Sequence, residues 1–326
     1  MPLAPTDDFL FSSNMRSVAR VNGWWDGHEP FHFTRAFSIG EYTSRGYAGR
    51  RMWAFWSVVA PSLRVPAEYA AYLDVIGTTY PTTAPPDGKV TRSDVLRRIY
   101  RNYYQGTKYD LSAGPAAGPF GTPYRHKPGP GEAAVAGTCG ALGPCSRWER
   151  SIASFRSTNI HVTFVRPAGN ATLWFAPYAA LPSVFLPLLT GTAAVPAALA
   201  GVANTRLDRA KAYWVFKELG QFAYPRWSLA HDRVGKVAAQ LEDEGEAGAA
   251  AWRRGRDSAA EAADAHAAAV VAKWQDLYAE LLMKYSDGYE YDGHETSYLG
   301  YPAWWLKEVG YLNGTAQPCD TPTGTC

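Results

Sequence analysis

Apolar positions recur at helical intervals near both ends of the chain and alternate in its middle. Between residues 7 and 22, Phe9, Leu10, Met15, Val18, Ala19 and Val21 fall on one helical stripe, with Ser13 or Asn14 placed to cap it. Residues 47–59 read as a second helix with an aromatic face (Trp53, Phe55, Trp56), stopped by Ala60-Pro61. Pro61 and Pro66 punctuate an extended link, and residues 81–88 form a polar, proline-rich loop. A third helix is expected over residues 91–104, starting at Thr91 or Ser93 and burying Val95, Leu96, Ile99 and Tyr103.

The period then changes. Residues 151–165 and 171–176 alternate as strands, Pro167 to Asn170 make the turn between them, and residues 183–189 supply a third strand, together an antiparallel meander. Helical spacing returns over residues 204–220, ended by Gly220, then over 226–244, and over 247–285 as one or two long helices. Asp287-Gly288-Tyr289 is the stop, and residues 298–326 form a docking segment with a polar end. The pattern divides the chain into an αβ region over 1–203, a helical region packed on it over 204–311 and a tail over 312–326.

Between these elements lies a stretch that neither period explains. Residues 103–125 contain Gly106, Gly114, Gly118 and Gly121 with Pro115, Pro119 and Pro123, flanked by tyrosines and charges. That composition makes a long, shaped loop, because glycine and proline are disfavoured inside helices and strands. It is not a phosphate cradle: no Lys-Ser/Thr follows the last glycine, and the prolines remove amide donors. Residues 127–145, also rich in glycine and proline, read as a surface excursion.

Composition adds bounds. The chain of 326 residues is 47% hydrophobic, enough for a large core, and its net charge of +2 with interspersed signs gives no footprint for nucleic acid. The apolar run over 176–203 is broken by four prolines, so no membrane span is expected. The four cysteines, Cys139, Cys145, Cys319 and Cys326, lack metal-site spacing and favour disulfides, with 139 to 145 and 319 to 326 the simplest of three pairings. The sequons at Asn170 and Asn313 point the same way, toward glycosylation on a secretory or lysosomal route. Residues 1–14 show neither a basic nor an apolar signal region, which leaves a cytoplasmic location or a missing beginning as the alternatives.

Common catalytic signatures are absent: there is no G-x-S-x-G, no H-E-x-x-H and no Cys-x-x-Cys. His28 and His32 are four apart, but Pro30 argues against a shared helix face, and no metal or other cofactor is expected. Glu290, Asp292, His294 and Glu295 read as a solvated turn, and Glu242 to Glu244 with Arg253, Arg254 and Arg256 as solvated helix faces. Arg156 stands out, lying in an expected strand patterned for burial. There its guanidinium needs a buried carboxylate or acts on a carbonyl as a catalytic group.

Several motifs then converge. Residues 104–111 (YQGTKYDL), Gly118 to Arg125, Trp148-Glu149-Arg150 with Arg156-Ser-Thr, Leu173 to Pro177, Lys284 to Tyr289 and Gly300 to Leu306 resemble the cysteine dipeptidases related to lactic-acid-bacterial dipeptidase A and to secernin. The matches keep the family's order from near residue 7 to about 311. The resemblance implies an α+β fold, the αββα sandwich of an N-terminal-nucleophile hydrolase. It also implies hydrolysis of short peptides by an amino-terminal cysteine whose own amine is the base. None of the four cysteines lies near residue 1, so the expectation is a chain that lacks the amino-terminal portion and is inactive alone, with Arg156 the one retained catalytic group. Two alternatives stay open: a non-catalytic secernin-like interaction protein, and a hydrolase of non-peptide amides. A short peptide is the expected partner, and homo-oligomerisation is left open.

Overall fold

The computed structural model describes residues 14–29, 31, 36–37, 49–67, 81, 84–125, 150–165, 171–192, 194–201, 205–255 and 258–311. The fold mixes helices with small antiparallel sheets, the α+β class expected. The chain forms two compact units, one of Met1–Tyr104 with Arg125–Ile152 and one of Gln105–Tyr124 with Ala153–Cys326. The four cysteines and both sequon asparagines lie outside the described residues, as do His32, residues 7–13 of the first expected helix and the turn over 167–170.

In the first unit, α1 (Met15–Val21) starts after Asn14, whose carbonyl accepts the Val18 amide at 2.9 Å and the Ser17 hydroxyl at 2.8 Å. Helix α2 (Gly49–Val59) buries Ala54 and Trp56 and ends where Pro61 opens a 3-10 turn, held by Asp87, which accepts the Ser62 amide at 2.7 Å. The expected helix at 91–104 is present as a π-helix, Asp94–Ile99, in which the Tyr100 amide reaches Val95 at 2.9 Å. Its start is a capping box: the Asp94 carboxylate accepts the Thr91 amide at 3.0 Å and hydroxyl at 2.7 Å, while the Thr91 hydroxyl oxygen accepts the Asp94 amide at 3.2 Å. Those bonds, the Thr91 hydroxyl foremost, lower the Asp94 carboxyl to about 2.

In the second unit, β1 (Ile160–Val165), β2 (Ala171–Ala176) and β3 (Leu186–Leu189) make the antiparallel meander in the order β1-β2-β3, with Trp174 facing Val162 on one side and Pro187 on the other. Proline is tolerated in β3 because β3 is the last strand of the sheet and needs no outward donor there. Helices α3 (Ala212–Ala223), α4 (Trp227–Trp252) and α5 (Ala259–Lys284) pack together, and α4 and α5 both lie on β3. The chain then runs through the hairpin β4 (Tyr289–Tyr291) and β5 (Thr296–Tyr298) into α6 (Ala303–Glu308). Among the described residues no helix is long and apolar enough to cross a membrane.

The core of this unit centres on Phe216, Leu219, Val270, Trp274 and Leu277, all nearly inaccessible. The corner entering β3 is fastened to all three helices. The Trp274 indole N–H donates to the Pro182 carbonyl at 3.0 Å, and Gly220 of α3 lies against the Pro182 ring. The third fastening is the Glu242 carboxylate of α4, which accepts the Phe185 amide at 3.1 Å.

Four expectations change for physical reasons. Gly220 does not end its helix but sits inside α3, because a side chain there would stand 2.9 Å from Pro182. Glu242 is 0% exposed rather than solvated, and its carboxylate satisfies the amide of Phe185, just before β3. Arg253, also read as solvated, is half-buried and donates to the Thr172 hydroxyl of β2 at 3.0 Å. Of the one or two long helices expected over 247–285, one is present as α5, while residues 247–252 belong to the end of α4.

The two glycines of these helices predict opposite signs. Gly220→Ala should destabilise by about 1–3 kcal/mol through the clash with Pro182. Gly235→Ala, with open space around it in α4, should stabilise by about 0.5–1 kcal/mol through helix propensity. Paired thermal melts check this; equal shifts for both would show that Pro182 does not seat on α3.

Candidate functional site

The glycine-rich loop is a fixed structure. Gly106 has a φ of 73°, a left-handed conformation that suits glycine, and its amide donates to one Asp110 oxygen at 3.0 Å. The other oxygen accepts the Ser112 amide at 2.8 Å and hydroxyl at 2.6 Å, so one carboxylate folds residues 106–112. Pro115–Ala117 form a 3-10 turn between Gly114 and Gly118, both at positive φ, and the Thr122 amide closes on Ala117 at 2.7 Å. At Gly121 a Cβ would meet the Ser112 carbonyl at 2.9 Å, which makes glycine obligatory at that close approach.

The loop is docked at its end by a buried pair of phenols. The Tyr124 hydroxyl donates to that of Tyr224 at 2.6 Å, with ring centroids 4.0 Å apart, and the Phe120 carbonyl accepts the Ser228 amide at 2.9 Å. Burial pushes both phenols well above their ordinary range, since a phenolate there has lost its water.

Between this loop and the β4–β5 hairpin with the residues after it opens a cleft of about 730 Å³. Pro119 and Phe120 form one wall, Tyr289, Tyr298 and Tyr301 the other, and Arg226 and Asp287 bring opposite charges to the lining. Phe120 and Tyr301 approach to 6.0 Å between centroids, and Tyr289 pairs across the hairpin with Tyr298 at 4.7 Å. Arg226 is the residue that precedes α4, so its guanidinium brings a positive charge to this side of the cleft. Its guanidinium lies 4.4 Å from the Phe222 ring centroid, and one nitrogen donates to the Phe222 carbonyl at 3.4 Å. Asp287 is held at a φ of 55° by the turn that carries α5 into the hairpin.

The expected catalytic arginine is elsewhere. Arg156 is exposed, in a turn that precedes β1, and not in a buried strand. Phe155 packs on Tyr124 at 5.1 Å, which turns the next residue outward, and the Arg156 guanidinium lies 5.6 Å from the Phe155 centroid. Arg156 does not line the cleft. The acidic turn is also resolved: Asp292 accepts the His294 and Glu295 amides at 2.9 Å each, which lowers its carboxyl and closes the hairpin. Among the described residues no group of three His, Cys, Asp or Glu side chains is arranged to hold a metal ion.

The sequence model of Peptidase family C69 matches residues 2–240. The chain belongs to that family. The match spans the glycine-rich loop, the sheet and Arg226, and stops before Asp287 and the tyrosines of the hairpin. No curated protein matches the chain significantly.

Sequence reasoning passed over two features of this C69 chain. The hairpin had a legible signal, Tyr289-Glu-Tyr-Asp-Gly-His-Glu-Thr-Ser-Tyr298, aromatic and β-branched residues alternating about Asp-Gly. Arg226 had none, because only the fold sets it beside the loop.

The phenol pair gives a pH prediction. A phenol whose folded pKa lies above its unfolded value of 10.0 contributes stability that is full below pH 10.0 and is lost as pH rises beyond it. Tyr124 and Tyr224 should therefore stay protonated at about pH 11 and ionise only with unfolding. An absorbance titration of tyrosinate should show a late step, absent from a Tyr124→Phe/Tyr224→Phe variant. Smooth titration of every tyrosine near pH 10.0 would contradict the docking.

Proposed function

We propose that this C69 chain recognises short peptides as a member of the cysteine-type dipeptidases. Membership of a peptidase family, over residues 2–240, is the observation that carries the reading. The cleft supports it, since a concave site of about 730 Å³ with aromatic walls and few charges suits a small organic substrate.

The chemistry of such an enzyme needs a thiolate beside its own α-amine, which acts as the base. The four cysteines of this chain are at 139, 145, 319 and 326, so none is in that arrangement. We propose that these 326 residues bind short peptides, and that turnover needs a cysteine at a mature amino terminus. Arg156 is exposed beside the Phe155 ring and does not line the cleft, so the reading rests on no step by it.

Incubating the purified chain with a panel of dipeptides and quantifying released amino acids by chromatography tests this directly. No release above the uncatalysed rate is expected. Robust release that disappears on thiol alkylation would show that one of the four cysteines acts as a nucleophile after all.

A further inference from the structure

Arg226 and Asp287 line one cleft yet are not paired with each other or with any other charge among the described residues. The arginine spends one hydrogen bond on the Phe222 carbonyl and one face on the Phe222 ring, which fixes the guanidinium and leaves most of its five donors free. The Asp287 carboxylate accepts no hydrogen bond among the described residues. Opposite charges in one cavity, each without its counter-ion, are complementary to a ligand that carries both signs.

The walls narrow the ligand further. Phe120, Tyr289, Tyr298 and Tyr301 offer flat apolar faces, and proline rings at Pro119 and Pro225 add surface that makes no hydrogen-bond demand. A carboxylate at Arg226 gains charge-assisted hydrogen bonds in fork geometry, and an ammonium is matched by Asp287 and by tyrosine faces. A ligand with one charge, or none, leaves one of the two side chains unanswered.

We infer that the cleft between the glycine-rich loop and the β4–β5 hairpin binds an unblocked short peptide with an apolar side chain, its carboxylate on Arg226 and its α-ammonium on Asp287. This deepens the peptidase reading and rests on it for the choice of a peptide over a free amino acid. The loop is the rigid wall, built by Asp110 and the Tyr124–Tyr224 pair, and the hairpin supplies the aromatic wall and, through the turn before it, the anion.

Calorimetric titration of the 326-residue chain with Ala-Phe, N-acetyl-Ala-Phe, Ala-Phe amide and free phenylalanine tests the assignment. Ala-Phe should bind at least about tenfold more tightly than either blocked peptide, as expected for the loss of one charge-assisted contact, and more tightly than free phenylalanine, which keeps both charges but lacks the peptide unit. Arg226→Gln should erase the difference between Ala-Phe and its amide while leaving the acetyl difference. Asp287→Asn should do the reverse. Circular dichroism and melting of each variant check that it is folded, and the blocked ligands test the wild-type chain without any substitution. Equal affinity for Ala-Phe and both blocked peptides overturns the cleft assignment while leaving peptide recognition standing. Free phenylalanine binding as tightly as Ala-Phe overturns the choice of a peptide. If no ligand binds, the proposed function falls with it.

Discussion

The second unit depends on the corner that enters β3. Pro182 presents its carbonyl to Trp274 of α5 and its ring to Gly220 of α3, while Phe185 gives its amide to Glu242 of α4. One short stretch thus takes one fastening from each of three helices. Burying a carboxylate is costly unless hydrogen bonds replace its water, and the Phe185 amide meets part of that need. The consequence reaches the cleft through the chain itself. The position of α3 fixes the 3-10 turn Tyr224–Arg226, which puts Tyr224 against Tyr124 and Arg226 on the cleft lining.

How much of this could be read from the residues depends on the range of the force that places them. The strands at 171–176 and 186–189 and the helix at 49–59 were legible because alternation and helical spacing record burial on one face. The helix start was legible as Thr91 or Ser93, and the bonds to Asp94, three residues on, decide for Thr91. Gly220 was misread because the same residue ends helices and admits close packing, and Pro182 is distant in sequence. Glu242 was misread because two neighbouring acids made a charged run, whereas only the fold shows which of them turns inward. The buried strand expected around Arg156 was misread for the converse reason: alternation at 151–159 resembled a strand, but ladder pairing begins only at Ile160.

The glycine-rich loop, legible as a shaped segment, gains its role from contacts far along the chain. Asp110 sets its local form, while Ser228 and Tyr224 dock it in the second unit. A loop fixed in this way presents Pro119 and Phe120 without further ordering, which lowers the entropic cost of binding. The C69 match covers the loop and Arg226, and the hairpin beyond residue 240 supplies Asp287 and the tyrosines, so the cleft joins a family segment to one outside the match.

The central claim is that the cleft reads both ends of a small peptide. A crystal structure of the chain with unblocked Ala-Phe tests it most directly. The account predicts ordered peptide in the cleft, with its carboxylate within hydrogen-bonding distance of Arg226 and its ammonium at Asp287. Peptide bound at another site, or lying in the cleft with neither charged end at those two residues, would contradict it.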